Sequence, residues 1–171
     1  SLAGEDCAMV GNIGFSFARQ VAEAPKKLYV VEVSSFQLDD IKNFRPDVAV
    51  ITNITEDHLD RYNYDVNNYI KSKFRITENQ TESDVFIYNT DDETTNNYLK
   101  QHSVKSKAAP ITMSKILPEG TYLSNAKMHL KWKGEEMQMS VKDFAIKGKH
   151  NQYKSMTASR ADTAIGSRKE K

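Results

Sequence analysis

Polar residues gather at the carboxyl ends of two apolar runs, and their types suit phosphate and metal chemistry. The first run, Leu28–Val33, carries Glu32 and leads into Ser34, Ser35, Gln37 and Asp39. The second, Val48–Thr52, leads into Asn53, Glu56, Asp57 and His58. In open α/β sheets, ligands bind beyond the carboxyl ends of the strands. A carboxylate and an imidazole at neighbouring strand ends could share a hard cation such as Mg²⁺, which prefers oxygen ligands and keeps water or substrate phosphate in its shell. Spacing alone allows a plainer reading, in which Ser34 or Ser35 caps a helix and Glu32 makes a surface ion pair. Lys71 and Lys73 stand two apart and so point to different helix faces, where lysine is ordinarily solvated. Gly11-Asn12-Ile13-Gly14 precedes a helical pattern; its N–H groups could meet an anion, or the glycines could simply turn the chain.

Other chemistries find little support. No GxxxxGK[ST] loop is present: Gly148-Lys149 is followed by His150, and no glycine stands five positions before Gly148. His102, His129 and His150 show no metal-ligand spacing with Cys7, which argues against zinc. No Ser–His–Asp signature emerges. Cys7 and the six methionines are expected to pack as soft apolar groups, and Trp132 to pack in a core or hairpin.

The elements that must position these residues follow from periodicity. Leu28–Val33, Val48–Thr52, Val85–Tyr88 and Ala109–Met113 are short Val/Ile-rich runs without alternation, as in parallel strands covered on both faces. Helices are expected between them: Phe15–Ala24, ended by Pro25; Phe36–Asn43, stopped ahead of Arg45-Pro46; Val66 to about Asn79, capped by Asp65; and Thr94–His102. Alternating strands and helices imply right-handed βαβ units. Beyond Pro118, strand-like pieces at 121–123, 128–132 and 137–141, with a turn at Lys133-Gly134-Glu135, predict a small antiparallel β-ribbon appended to the main sheet. A last helix is expected near Asn151, followed by a charged, frayed tail over 167–171. The fold class is therefore α/β, a doubly wound and mostly parallel sheet with helices on both faces plus the ribbon.

Composition narrows the function. The 171 residues hold 24 Lys and Arg against 23 Asp and Glu, a net charge of +1. That balance argues against nucleic-acid binding. A lone cysteine fits a reducing compartment. No run of about 18 apolar residues, and no basic and apolar leader, point to a membrane or to secretion. A cytoplasmic protein without membrane partners is expected.

Six stretches in order make the sequence resemble the central domain of the Mur ligases: VGNIG (10–14), EVSSFQLD (32–39), PDVAVITNITEDHLDRY (46–62), YIKSKFRI (69–76), NTDD (89–92) and KGKHN (147–151). EVSSFQL favours the D-glutamate-adding branch. The resemblance implies an ATP-dependent amide ligase that joins D-glutamate to UDP-N-acetylmuramoyl-L-alanine through an acyl phosphate, in peptidoglycan precursor synthesis. It implies Glu32 and His58 as Mg²⁺ ligands and Lys73 as the lysine that CO₂ carbamylates, a change that turns a cation into a metal-holding anion. Asn12, Ser34 and Gln37 match substrate contacts, and Asn151 matches the nucleotide-binding segment. Position 154 is Lys where the family pattern HNxxN has asparagine. The family's phosphate loop belongs ahead of Leu2. Residues 1–166 are thus expected to be a central domain without that loop, inactive alone, and 167–171 a tail toward a carboxy-terminal domain. A complete enzyme is expected to be monomeric, and this piece to self-associate through unpaired strand edges. The alternatives are a non-catalytic nucleotide-binding or structural remnant of the fold, or a folylpolyglutamate synthase-like ligase.

Overall fold

The computed structural model describes residues 6–57, 59–143 and 148–169, without the side chains at 149, 150 and 167–169. The chain divides into two compact units, 1–42 and 43–171, each described by itself below.

The first unit is a βαβ turn followed by a short helix. β1 (Cys7–Gly11) and β2 (Leu28–Glu32) are parallel, with Cys7 opposite Leu28 and Gly11 opposite Glu32. α1 (Phe17–Glu23) makes the crossover, and Ser16 caps it by accepting from the Arg19 amide. The helix is shorter than the expected 15–24, because capping by Ser16 leaves Phe15 outside it. Gly11 has φ +107°, and a Cβ there would lie 2.2 Å from the Glu32 carbonyl oxygen. Only glycine lets the strands come this close where β1 ends. α2 (Ser35–Asp39) stops sooner than the expected Asn43.

The second unit is built on a six-stranded sheet in the order β3-β4-β5-β6-β7-β8. β3 (Val48–Ile51), β4 (Val85–Asn89), β5 (Lys107–Thr112) and β6 (Gly120–Ser124) are parallel neighbours. β7 (Lys127–Trp132) and β8 (Glu135–Ser140) continue the same sheet antiparallel. The ribbon therefore extends the main sheet through β6. Pro110 sits inside β5, and pairing to β6 begins only at Ile111, just past the residue that has no N–H to donate. Gly120 opens β6 at φ +128°, where a Cβ would stand 2.5 Å from the Pro110 carbonyl oxygen.

Period-two alternation divides the strand side chains between two covered faces. On one face Val85, Ile87, Ala109, Ile111, Met128, Leu130 and Trp132 pack with Met156 and Ala164 of α5 (Lys149–Lys169). On the other, Phe86 meets Phe74 of α3 (Val66–Phe74) edge-on at 5.9 Å, and Phe74 stacks on Tyr98 of α4 (Glu93–Gln101) at 3.9 Å. This is why the runs of β3, β4 and β5 lack alternation; β2 departs from the expected burial on both faces, since it lies in the two-stranded sheet with Val30 exposed. Asp65 caps α3 as expected, accepting from the Asn67 amide, and Asp92 caps α4. α3 ends at Phe74 and tightens into a 3₁₀ turn over Arg75–Thr77. α5 continues to Lys169, so the expected frayed tail is helical over 167–169; 170 and 171 lie outside the described residues. Met128 and Met156 are buried as expected, whereas Met9, Met137 and Met139 are exposed. Among the described residues no helix is long and apolar enough to cross a membrane.

Candidate functional site

In the first unit, β1 and β2 end side by side and place Asn12 next to Glu32. The Asn12 amide N–H donates to the Glu32 carbonyl at 2.8 Å, and its side-chain Nδ2 donates to Glu32 Oε1 at 3.2 Å. Gly11 N–H closes the loop onto the Phe15 carbonyl at 3.0 Å. Two amides of the Gly11–Gly14 loop are thus occupied within the protein, which favours the turn over an anion cradle. Glu32 is exposed, and its Oε2 stands clear of the Asn12 bond.

Ser34 and Gln37 bind each other. Ser34 Oγ accepts from the Gln37 amide at 3.3 Å, and Gln37 Oε1 accepts from the Ser34 amide at 2.9 Å and from its hydroxyl at 3.1 Å. This is a reciprocal capping box at the start of α2. The plainer reading of Ser34 as a cap is realised. Glu32, read as a surface ion pair in that alternative, meets Asn12.

The second unit holds Lys73 and Asn151. Lys73 lies on the half-buried side of α3, its Nζ 4.9 Å from the centre of the Tyr69 ring, whereas Lys71 faces solvent. A lysine packed over an aromatic ring keeps its amine near a face rather than sweeping through water. A cleft of about 650 Å³ opens between the loop after β3 and helices α3 and α4, lined by Ile54, Glu56, Asp65, Lys71, Thr94 and His102. It takes in Lys71, not Lys73. Asn151 stands in the first turn of α5, where its amide N–H and that of Gln152 both donate to the Gly148 carbonyl at 3.0 Å. Lys154 is exposed. His58 lies outside the described residues. Among those described, no group of three or more His, Cys, Asp or Glu side chains gathers as a metal site.

Asp91 belongs to the NTDD motif, yet the resemblance assigns it no role. Asp91 follows β4, and its carboxylate accepts four hydrogen bonds. Thr112 Oγ1 donates at 2.6 Å, the Met113 amide at 2.6 Å and Tyr153 Oη at 2.5 Å; the Ser114 hydroxyl donates as well. Burial by itself would raise this carboxyl. The bonds from Ser114, Thr112, Tyr153 and Met113 outweigh it and bring the pKa down to about 2. Burial, and then the Asp91 carboxylate, push the Tyr153 hydroxyl well above the ordinary phenol range, so it stays a donor.

The model of the Mur ligase middle domain matches residues 12–161, most of the chain. The chain belongs to the Mur ligase family. The UDP-N-acetylmuramoylalanine–D-glutamate ligase of Christiangramia forsetii is 43% identical over 167 residues, 98% of this chain and 38% of that enzyme. The Bacteroides fragilis enzyme of the same name is 40% identical over 168 residues, again 98% and 38%. The chain therefore spans about 38% of the length of these curated relatives. The structure superposes on a Thermotoga maritima MurF ligase in complex with ADP with a TM-score of 0.64 at 12% identity, covering 95% of this chain and 40% of that one. A Neisseria ligase that acts on UDP-N-acetylmuramate gives a TM-score of 0.58 at 13% identity, with 86% and 46% covered. At such identities the structures speak to fold alone. As a Mur ligase middle domain, the chain has the fold class expected of its sequence, and the resemblance to the D-glutamate-adding branch is borne out.

Proposed function

We propose that this Mur ligase middle domain is the catalytic core of an ATP-dependent amide ligase that joins D-glutamate to UDP-N-acetylmuramoyl-L-alanine in the cytoplasm. The observation that carries this is the similarity to D-glutamate ligases across 98% of the chain.

The chemistry has a simple logic. A carboxylate resists amines until a good leaving group is attached. ATP phosphorylates the carboxylate of the muramoyl substrate, the D-glutamate amine displaces phosphate, and an amide, ADP and phosphate result. Mg²⁺ would offset negative charge on the transferring phosphoryl group. Glu32, His58 and carbamylated Lys73 would hold it. The donor set suits the ion, because an exposed carboxylate with Oε2 clear of its Asn12 bond is a hard oxygen ligand. Asn12 fixes the Glu32 carboxylate by donating to Oε1. Tyr69 confines the Lys73 amine that takes up CO₂. Ser34 and Gln37, locked in their capping box, present their remaining polar capacity to the muramoyl substrate. Asn151 serves the nucleotide.

A chimera tests the assignment: this chain replaces the 43% identical segment of the Christiangramia forsetii ligase. Product analysis is expected to show amide formation with UDP-N-acetylmuramoyl-L-alanine and D-glutamate, and little with L-glutamate. A folded chimera that prefers L-glutamate, or forms no amide, contradicts the proposal.

A further inference from the structure

We propose that Asp91 and Tyr153 are a positioning pair, which ties the first turn of α5 to the carboxyl edge of the sheet and so sets where Asn151 stands for a nucleotide. The inference rests on the reading of Asn151 as a nucleotide-binding residue.

The argument starts from how the carboxylate is used. Three of its four donors, Thr112, Met113 and Ser114, come from the end of β5 and the residues just after it, which the strand ladder already fixes. The Asp91 amide in turn donates to Asn89 Oδ1 at 2.9 Å, so the loop after β4 is held on its own side too. The fourth donor comes from elsewhere: Tyr153 lies 62 residues further on and belongs to α5. Asp91 is therefore a fixed post, and among the described residues Tyr153 is the one side chain that ties a helix to it. The neighbouring Asp92 has a different task, the capping of α4 through Thr95.

The place of the tie gives it a purpose. The apolar anchors of α5, Met156 and Ala164, hold the helix against the sheet further along. Ahead of them, the Asn151 and Gln152 amides both donate to the Gly148 carbonyl. Tyr153 is the next residue, and Lys154 beyond it is exposed. A helix turn at its amino end has unmatched N–H groups and frays readily. The Tyr153–Asp91 bond stops fraying at the point where a displacement would move Asn151 with it. Charge suits the task as well: with its pKa near 2, Asp91 stays ionised at neutral pH and accepts all four bonds.

Two measurements test this, with Tyr153→Phe as the main variant because it removes only the hydroxyl. Asp91→Asn is its partner; an amide there sets a donor against converging donors. On this chain, hydrogen exchange is read at the amides of Asn151 and Gln152, with Met156 as the internal reference. Tyr153→Phe is expected to speed exchange at 151 and 152 by about tenfold, the worth of one bond to a charged group, and to leave Met156 unchanged. In the chimera, the KM for ATP is expected to rise about tenfold while the KM for D-glutamate holds. Unchanged exchange at 151 and 152, equal acceleration along all of α5, or a joint rise of both KM values overturns the proposal. Asn151→Ala in the same chimera separates the two readings. If it leaves the KM for ATP unchanged, the nucleotide role of Asn151 fails, whatever the exchange shows.

Discussion

At the residue scale, a half-buried carboxylate and a buried guanidinium behave in opposite ways. Asp91 is surrounded by donors, and hydrogen bonds hold its carboxyl near 2 against an ordinary 3.8. A carboxyl depressed on folding stabilises the native state above its unfolded pKa and loses that effect as pH falls through the folded one. The melting temperature is therefore expected to drop between about pH 4 and pH 2, and the drop should be shallower in Asp91→Asn; equal slopes would contradict it. Arg160 is the reverse case. It is fully buried on α5, with its guanidinium 3.5 Å from the centre of the Trp132 ring. Its Nε, Nη1 and Nη2 find no acceptor among the described residues, and burial lowers its pKa to about 10. An unpaired buried cation costs more than a cation–π contact returns. Arg160→Leu is expected to stabilise the fold by about 1–3 kcal/mol in urea unfolding. A loss of stability would mean that the ring contact prevails.

At the scale of elements, the joints between strands carry the strain and the specificity. Arg45 spans the amino ends of β3 and β4 by pairing Nε with Asp84 Oδ2 at 2.8 Å and Nη2 with Oδ1 at 3.1 Å. Asp84 is fully buried, so Arg45→Ala would leave its charge under-compensated, and the variant is expected to melt clearly below its parent. A melting temperature equal to the parent's, as for an ordinary surface pair, would refute this. The β6–β7 turn is strained in another way. Asn125 and Ala126 have φ of 52° and 56°, the geometry of a type I′ turn, which alanine adopts at a cost of about 1–2 kcal/mol. Glycine removes that cost and gives back part of it as unfolded-state entropy, so Ala126→Gly is expected to gain about 0.5–1 kcal/mol. An Ala126→Gly variant that melts no higher than its parent would show the turn to be relaxed. These elements also mark what could be read in advance. The runs that form β2 to β5 and the Asp65 cap were legible, because each is a local pattern of apolar residues or a helix-start signal. β1 was not, since Cys7-Ala8-Met9-Val10 is brief and drew notice only for the glycines after it. The Asp91 clamp was not, because its donors lie 21, 22, 23 and 62 residues away in sequence.

At the scale of the whole molecule, each unit holds its own share of the residues proposed for the ligase. Asn12, Glu32, Ser34 and Gln37 belong to the first, and Lys73, Asp91 and Asn151 to the second. The paired ends of β1 and β2 bring Asn12 to Glu32; the half-buried face of α3 holds Lys73 against Tyr69. The most direct measurement is phosphate release by the chimera that depends on D-glutamate, with Lys73→Ala beside it at matched melting temperature. The ligase account expects turnover in the parent and a fall of at least about 100-fold in the variant. A folded parent that releases no phosphate, or a Lys73→Ala variant that keeps pace with it, would contradict the account.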